Sequence, residues 1–205
     1  ILRDRGENEK ANMVRNILPE NIECIFVRQA EQLGLGHAIL CAERAVGDEP
    51  FAILLADDFV VPDKPGVTSD LVKQFEKSGM AQLSVVNVPN ELVSKYGVIK
   101  IGDHRNSVKG IVEKPTVDEA PSNLVSIGRY VMTSDIFEIL RVLPPGVNGE
   151  IQLADAINIY ASLGKVESLD LQGKHFDCGS KKGFLEAIFH MARQDSAGMK
   201  ELDVG

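Results

Sequence analysis

The chain has 205 residues, 44% of them hydrophobic and 25% charged, values typical of a globular domain long enough to bury a core. The formal net charge of −8 and an aromatic content of 5% argue against nucleic acid as a partner, because nucleic-acid binders present basic patches or stacking aromatics. An odd number of cysteines without a C-x-x-C pair predicts a reducing, cytoplasmic compartment, and no apolar run reaches the roughly 18 residues of a membrane span.

The first half of the chain alternates between short apolar runs, typical of buried strands, and amphipathic segments, typical of helices. In chain order we predict a helical or partly disordered segment at 1–17, a buried strand at 23–27, a helix at 37–42, a buried strand at 51–55, a helix at 69–78 and a strand at 81–88. This alternation predicts βαβ units and a largely parallel sheet.

The pattern becomes richer in strands after Pro89. We predict strands at 96–101, 108–112 and 124–132, helices at 134–143 and 150–163, a strand at 166–171, a helix at 182–192 and a flexible tail at 193–205. Neither an internal repeat nor a low-complexity linker divides the chain, so we expect residues 1–205 to belong to a single domain.

Asp57 and Asp58 directly follow the clearest predicted strand. Ligands of open α/β sheets bind beyond the carboxyl ends of the strands, and a carboxylate there can hold Mg²⁺ together with substrate phosphates. The alternative is an ordinary solvated turn.

Three further segments carry candidate ligand groups. Residues 29–36 join a strand to a helix, and their glycines allow close approach of a ligand to the main chain. Glu113 and Lys114 follow a strand and could contact a sugar hydroxyl and a phosphate, respectively. Residues 177–179 could supply a second metal carboxylate. The alternatives are a simple turn, an exposed ion pair and a loop without function.

The remaining reactive side chains are expected to have structural roles. Cys178 lacks the partner pattern of a catalytic thiol. His37 and His175 are not needed as bases if a phosphate oxygen attacks a phosphoryl centre.

Short stretches spread over residues 20–190 occur in a characteristic order. They are 27–29 (VRQ), 34–38 (GLGHA), 46–50 (VGDEP), 96–98 (YGV), 112–115 (VEKP), 121–124 (PSNL), 128–131 (GRYV), 150–153 (EIQL), 155–157 (DAI) and 177–179 (DCG). In this order they resemble the bacterial UTP–glucose-1-phosphate uridylyltransferases. A glucose-1-phosphate thymidylyltransferase is a weaker match, because the EIQL and DCG stretches favour the uridylyl enzymes.

The resemblance implies a role for residues on the nucleotide side of the site. Gln29 and Gly34 would read the uracil ring, and Lys114 would contact phosphate oxygens. Asp57 would bind Mg²⁺ as the expected cofactor, with Asp177 as the second carboxylate. Asp57 and Lys114 are therefore the expected catalytic residues.

On the sugar side, the resemblance implies that Gly97, Glu113, Ile127 and Gly128 hold the glucose. The implied fold is a Rossmann-like nucleotidyltransferase of the glycosyltransferase-A type, with a mixed sheet flanked by helices and a β-rich extension on the sugar side. The implied reaction forms UDP-glucose and pyrophosphate from UTP and glucose 1-phosphate by in-line displacement. A cytoplasmic homo-oligomer, dimer or tetramer, is also expected.

The family opens with a strand and a glycine-rich loop that wraps the triphosphate, and nothing before Glu23 matches that loop. We therefore expect the chain to be incomplete at its N-terminus and inactive by itself. A non-catalytic homologue that binds and modulates the active enzyme is the alternative function.

Overall fold

The computed structural model describes residues 3–19, 21–63, 66–104 and 106–194. The helices in this part of the chain are α1 Asn8–Arg15, α2 Leu35–Cys41, α3 Glu43–Val46, α4 Val67–Ser78, α5 Ile136–Val142, α6 Leu153–Ser162 and α7 Lys181–Gln194, with short 3₁₀ turns at Arg3–Arg5, Asn90–Lys95 and Val147–Gly149. The strands are β1 Phe51–Leu54, β2 Asp58–Pro62, β3 Ala81–Asn87, β4 Gly97–Ile101, β5 Val108–Glu113, β6 Leu124–Met132, β7 Val166–Asp170 and β8 Gly173–Asp177.

Six strands form one mixed sheet in the order β5-β4-β6-β3-β7, with β1 also paired to β6. Strand β6 runs antiparallel to β1, β3 and β4, and among the described strands only β3 and β7 pair in parallel. The expectation of a largely parallel sheet is therefore wrong, because β6 inserts antiparallel between β1 and β3. The expected mixed sheet flanked by helices is confirmed.

Helices cover both faces of this sheet. On one face α2, α5 and α6 enclose the main core, in which Leu83, Phe137, Leu140 and Tyr160 are at most 2% exposed. On the other face α4 packs against β3 and β6 through Leu71, which is fully buried. Burial of these large side chains is the main favourable contribution to the stability of the fold.

The side chain of Asn158 in α6 completes the hydrogen bonding of β5, the last strand in the sheet order. Its Oδ1 accepts a hydrogen bond from the main-chain N–H of Ile111 at 2.7 Å, and its Nδ2 donates to the Ile111 carbonyl at 3.0 Å. The amide therefore satisfies both main-chain groups of a residue that would otherwise lack partners.

A second, two-stranded sheet is formed by β2 and β8, which pair antiparallel with Asp58 opposite Asp177. We call this unit the β2–β8 ribbon. Neither of its strands was predicted. The ribbon begins where β1 has ended and leads through residues 178–180 into α7, so it connects the main sheet to the last described helix.

The predicted strand at 23–27 is wrong: the described residues 21–29 contain no strand. Phe26 is 95% exposed and Ile25 68% exposed. An apolar run forms a strand only where a neighbouring strand accepts its main-chain hydrogen bonds, and no described strand lies beside this run.

The other predicted elements agree with the structure to within a few residues at each end. Helix α1 confirms helical structure within the predicted segment 1–17, although none of its residues is buried. Helix α7 continues through residue 194, so the first two residues of the predicted tail 193–205 are helical and the rest lie outside the described residues. Among the described residues, no helix combines the length and the hydropathy needed to cross a bilayer.

Candidate active site

The β2–β8 ribbon brings together the two carboxylates that were expected to bind a metal. The carbonyl of Asp57 accepts a hydrogen bond from the N–H of Cys178 at 2.7 Å. A Cβ at Gly179 would stand 2.9 Å from Asp57 Oδ2 and 3.1 Å from Asp177 Oδ1. The two carboxylates thus approach the same point, and the missing side chain of Gly179 leaves that point open.

Strand β6 fixes the turn that carries Asp57. The guanidinium of Arg129 donates to the carbonyl of Leu55 at 2.8 Å and to the carbonyl of Asp58 at 2.6 Å. The N–H of Leu55 donates in turn to the carbonyl of Gly128 at 2.9 Å. Because Arg129 bonds on both sides of Asp57, the main chain at this residue has little freedom to move.

Asp58 faces His175 of the ribbon rather than its neighbour Asp57. His175 Nε2 lies 2.5 Å from Asp58 Oδ1, and these side chains are 7% and 16% exposed. The other carboxylate oxygen of Asp58 packs against Gly128, where an added Cβ would overlap with it. Asp58 is therefore enclosed, whereas Asp57 is exposed.

The β4–β5 hairpin forms the opposite wall of the site. Gly97 pairs with Glu113 across the hairpin, and Lys114 follows in a left-handed conformation with φ 45°. Its N–H donates to the carbonyl of Tyr96 at 3.0 Å. The Nζ of Lys114 lies 3.8 Å from Glu113 Oε1, and both side chains are largely exposed, so the lysine is only weakly held.

Both walls border one cleft of about 210 Å³. Its lining residues are Leu35, Leu55, Asp57, Asp58, Lys95, Tyr96, Gly97, Ile111, Glu113, Lys114, Ser126, Gly128, Tyr130 and Asp177. The structure thus brings together the predicted metal, catalytic and sugar residues, with one exception: Ile127 does not line the cleft, because its side chain is fully buried in a core cluster with Val98 and Val125.

The residues expected to read the base form a separate cluster beside α2. Gln29 Nε2 donates to the carbonyl of Gly34 at 3.1 Å and lies 2.9 Å from Nδ1 of His37. Gly34 has φ +92°, and a Cβ there would stand 2.9 Å from both Glu150 Cβ and the carbonyl of Ile151. A glycine is thus required by conformation and by space. Leu35, next in the chain, lines the cleft and links the two clusters.

Acidic side chains outnumber basic ones in the cleft, with Asp57, Asp58, Glu113 and Asp177 against Lys95 and Lys114. Burial raises the pKa of Tyr96, and the charges of Asp177 and Asp58 raise it further. Burial likewise raises the pKa of Tyr130 to about 12, with added repulsion from Asp58 and Glu113. A divalent cation or a cationic side chain in the cleft would relieve this repulsion.

The donor set fits Mg²⁺ better than a transition metal. Asp57 and Asp177 offer only oxygen atoms, and Mg²⁺ is commonly held by one or two carboxylates, with substrate phosphates and water completing its shell. Within the described ranges, no group of three or more His, Cys, Asp or Glu side chains is arranged to hold a metal by itself. The site therefore suits a cation that arrives with a phosphorylated ligand.

The residues that support the site could not be identified from the sequence. A structural role was expected for His175, and its hydrogen bond to Asp58 agrees with that role, but the partner was not predicted. Asp58 and His175 are 117 positions apart, and no local pattern predicts that pairing. The role of Arg129 is equally hidden, because its acceptors are main-chain carbonyls that carry no sequence signal.

The sequence profile of the nucleotidyl transferase family matches residues 4–194. A UTP–glucose-1-phosphate uridylyltransferase of Haemophilus ducreyi is 37% identical over 212 residues, which cover 98% of this chain and 72% of the relative. The enzyme of the same name from Bacillus subtilis is 40% identical over 198 residues, which cover 95% of this chain and 67% of the relative.

Solved structures show the same similarity. A UDP-glucose pyrophosphorylase complexed with UDP-glucose is 39% identical with a TM-score of 0.85, over 93% of this chain and 73% of its own. A UTP-bound UGPase from Acinetobacter baumannii is 37% identical with a TM-score of 0.86, over 100% of this chain and 74% of its own. The chain therefore belongs to the nucleotidyl transferase family, and within it to the UTP–glucose-1-phosphate uridylyltransferases.

Proposed function

We propose that this chain binds UTP and glucose 1-phosphate and contributes the residues that form UDP-glucose and pyrophosphate by in-line displacement. The observation that supports this most is the convergence of Asp57 and Asp177 at Gly179, on the same cleft as Glu113 and Lys114. Phosphoryl transfer is catalysed mainly by positioning and charge neutralisation, and this cleft offers groups for both.

Asp57 and Asp177 would hold Mg²⁺, whose charge would neutralise the phosphates of the nucleotide. The main chain of Asp57 is held by the hydrogen bond from Cys178 N–H to its carbonyl at 2.7 Å, and the carboxylate of Asp177 is oriented by the bond from Gly179 N–H to Oδ1 at 3.1 Å. An oriented carboxylate loses less conformational entropy when a cation binds.

Lys114 would contact the phosphate that joins glucose to the nucleotide. Its ion pair with Glu113 is long, at 3.8 Å, and exposed, so the ammonium group can leave it at small cost. In the cleft it would act as a compact positive charge beside a phosphate oxygen and would stabilise the negative charge that the phosphate oxygens carry in the transition state.

Glu113, Gly97, Gly128 and the main chain at Ile127 would hold the glucose. A Cβ at Gly97 would stand 3.2 Å from Glu113 Oε2, so the glycine leaves that carboxylate free to accept hydrogen bonds from sugar hydroxyls. Gln29 and Gly34 would read the uracil ring, with the amide of Gln29 already oriented by Gly34 and His37.

The 205-residue chain alone is expected to show no turnover. The cationic side chains that line the cleft are Lys95 and Lys114, too few to neutralise the roughly four negative charges of a nucleoside triphosphate with its leaving group. A fusion to the glycine-rich, triphosphate-binding loop of a related uridylyltransferase should give transfer. Homo-oligomer formation and a cytoplasmic location also remain predictions.

Calorimetric titration with UDP-glucose and Mg²⁺ tests the proposal directly. The chain should bind UDP-glucose more tightly with Mg²⁺ than without it, and Asp57→Asn should abolish that difference while leaving the fold intact. Asp103→Asn is the matched control, because Asp103 is an exposed carboxylate paired with Lys109 at 2.7 Å, outside the cleft. Equal Mg²⁺ dependence in Asp57→Asn would remove Asp57 from the metal site. Binding of UDP-glucose without turnover in the fusion would favour the non-catalytic homologue.

A further inference from the structure

We propose that Asp58 and His175 are positioning residues that set the geometry of Asp57 and Asp177 without touching the cation. This inference rests on the proposed function, since it requires those two aspartates to form the metal site. It assigns Asp58, the first residue of β2, a task different from that of Asp57, although the two carboxylates are adjacent in the sequence.

The register of the β2–β8 ribbon places the pair beside the metal carboxylates. Asp58 stands opposite Asp177, and Val60 stands opposite His175. Because side chains two residues apart in a strand share a face, Asp58, His175 and Asp177 lie on one face of the ribbon. Asp58 therefore contacts His175 diagonally across the ribbon, and His175 lies two residues before Asp177 on the same strand.

Asp58 is held where it cannot turn towards the cation. One carboxylate oxygen is bonded to His175 at 2.5 Å, and the other packs on Gly128. The ring of Tyr96 meets the ring of His175 edge-on, with centroids 6.1 Å apart, so the imidazole is held from a second side. At 16% and 7% exposure, these two side chains are the most buried partners of any contact between an acidic and a basic side chain among the described residues.

The ribbon has few interactions that fix its strand register, so the contact between Asp58 and His175 matters for its stability. It consists of only two strands and pairs with no strand of the main sheet in the described residues, and isolated two-stranded units are marginally stable. A slip of one residue between β2 and β8 would move Asp177 to the opposite face. The buried pair between Asp58 and His175 is compatible with only one register, the one that brings Asp57 and Asp177 together.

Mn²⁺ binding, measured by electron paramagnetic resonance as a stand-in for Mg²⁺, tests this role without depending on catalysis. The titration uses the 205-residue chain in saturating UDP-glucose. Asp58→Val and His175→Phe should weaken Mn²⁺ affinity about 10- to 100-fold, the usual effect of losing a group that orients metal ligands. Asp58→Asn should stay close to the wild-type value, because its amide oxygen still accepts the hydrogen bond from His175. His104→Phe, at an exposed histidine outside the cleft, is the control and should bind Mn²⁺ like the wild type.

Other results separate this inference from the proposed function. Wild-type Mn²⁺ affinity in folded Asp58→Val, with affinity lost in Asp57→Asn, would overturn the positioning role and leave the metal site in place. A loss of Mn²⁺ affinity in Asp58→Asn as large as that in Asp57→Asn would make Asp58 a metal ligand and would also overturn the positioning role. Absence of Mn²⁺ binding by the wild type would refute the metal site itself. If Asp58→Val is too unstable to titrate, Asp58→Asn/His175→Gln retains a neutral hydrogen bond, and loss of Mn²⁺ binding in this folded variant would count against the inference.

Discussion

Replacing Gly128 by alanine should destabilise the fold by two separable effects. Gly128 has φ +59°, a left-handed conformation that L side chains rarely adopt, and its Cβ would overlap with Asp58 Oδ2 and stand 2.9 Å from Leu55 Cβ and Cδ1. The residue lies where the pairing of β6 with β3 shifts register, between Ser126 and Tyr130, and its carbonyl accepts a hydrogen bond from the N–H of Leu55 at 2.9 Å, which limits how far the backbone can move aside.

The magnitude follows from adding the two effects. The left-handed conformation costs an alanine about 1–2 kcal/mol, and overpacking of a well-filled site costs about 1–3 kcal/mol more. The expected loss in the free energy of unfolding is therefore about 2–5 kcal/mol, a large part of the roughly 5–15 kcal/mol that stabilises a typical domain. For a chain of this length, each kcal/mol lowers Tm by about 2–4 °C.

Urea denaturation of Gly128→Ala and Gly164→Ala separates the effects. Gly164 has φ +69° and no atom within 4 Å of an added Cβ, so its alanine variant experiences only the conformational cost. Gly128→Ala should lose about 1–3 kcal/mol more than the control, and Asp58 should be pushed away from His175. Equal losses in the two variants would refute the packing argument, and with it the enclosure of Asp58.

Three further predictions concern other parts of the molecule. In a fusion that catalyses transfer, Lys114→Ala should lower kcat/KM about 100-fold or more, whereas Glu113→Gln should mainly raise the KM for glucose 1-phosphate; loss of UTP affinity alone in both variants would contradict these roles. Asn158→Ala should lower the free energy of unfolding measured in urea by about 2–4 kcal/mol, because it leaves the N–H and the carbonyl of Ile111 without partners. A loss below about 0.5 kcal/mol, ordinary for a surface change, would argue against a stabilising role of the Asn158 amide. Burial alone would raise the pKa of Glu167, but hydrogen bonds from Gln82, Gln74 and Ser78 lower it below its ordinary value of 4.5. Above pH 4.5 the free energy of unfolding of the wild type should therefore exceed that of Glu167→Gln, and the difference should shrink as the pH falls below that value. A difference that does not change with pH would refute the lowered pKa of Glu167.

Elements with a strong local pattern could be predicted from the sequence. Helix α4 ends where Gly79 adopts a left-handed C-cap with φ 67°, which is the common way for a glycine to end a helix. Strand β6 has the predicted bounds, because all of its residues except Arg129 are apolar, aromatic or small and most of them are buried. Asp57, Glu113, Lys114 and Asp177 all line one cleft, and each lies at or just after the end of a strand, which is where a local sequence pattern can place a candidate ligand group.

Pairings between distant segments could not be predicted. The insertion of β6 between β1 and β3 depends on contacts across the whole chain, and an antiparallel neighbour leaves the same apolar pattern in β3 as a parallel one. Likewise β2 and β8 have weak strand patterns, and each is stabilised by the other. The exposed run at 23–27 shows the converse: its composition favours a strand, but composition cannot supply a neighbouring strand.

The side chain of Asn158 has a consequence for association between molecules. A terminal strand with free main-chain groups can recruit a strand from another chain and so begin aggregation. At Ile111 both groups are already bonded within the molecule, at 2.7 and 3.0 Å, and α6 lies against β5 at this point. An incoming strand would first have to displace the helix, so edge-to-edge growth through this part of β5 is blocked, and an oligomer would have to form through other surfaces.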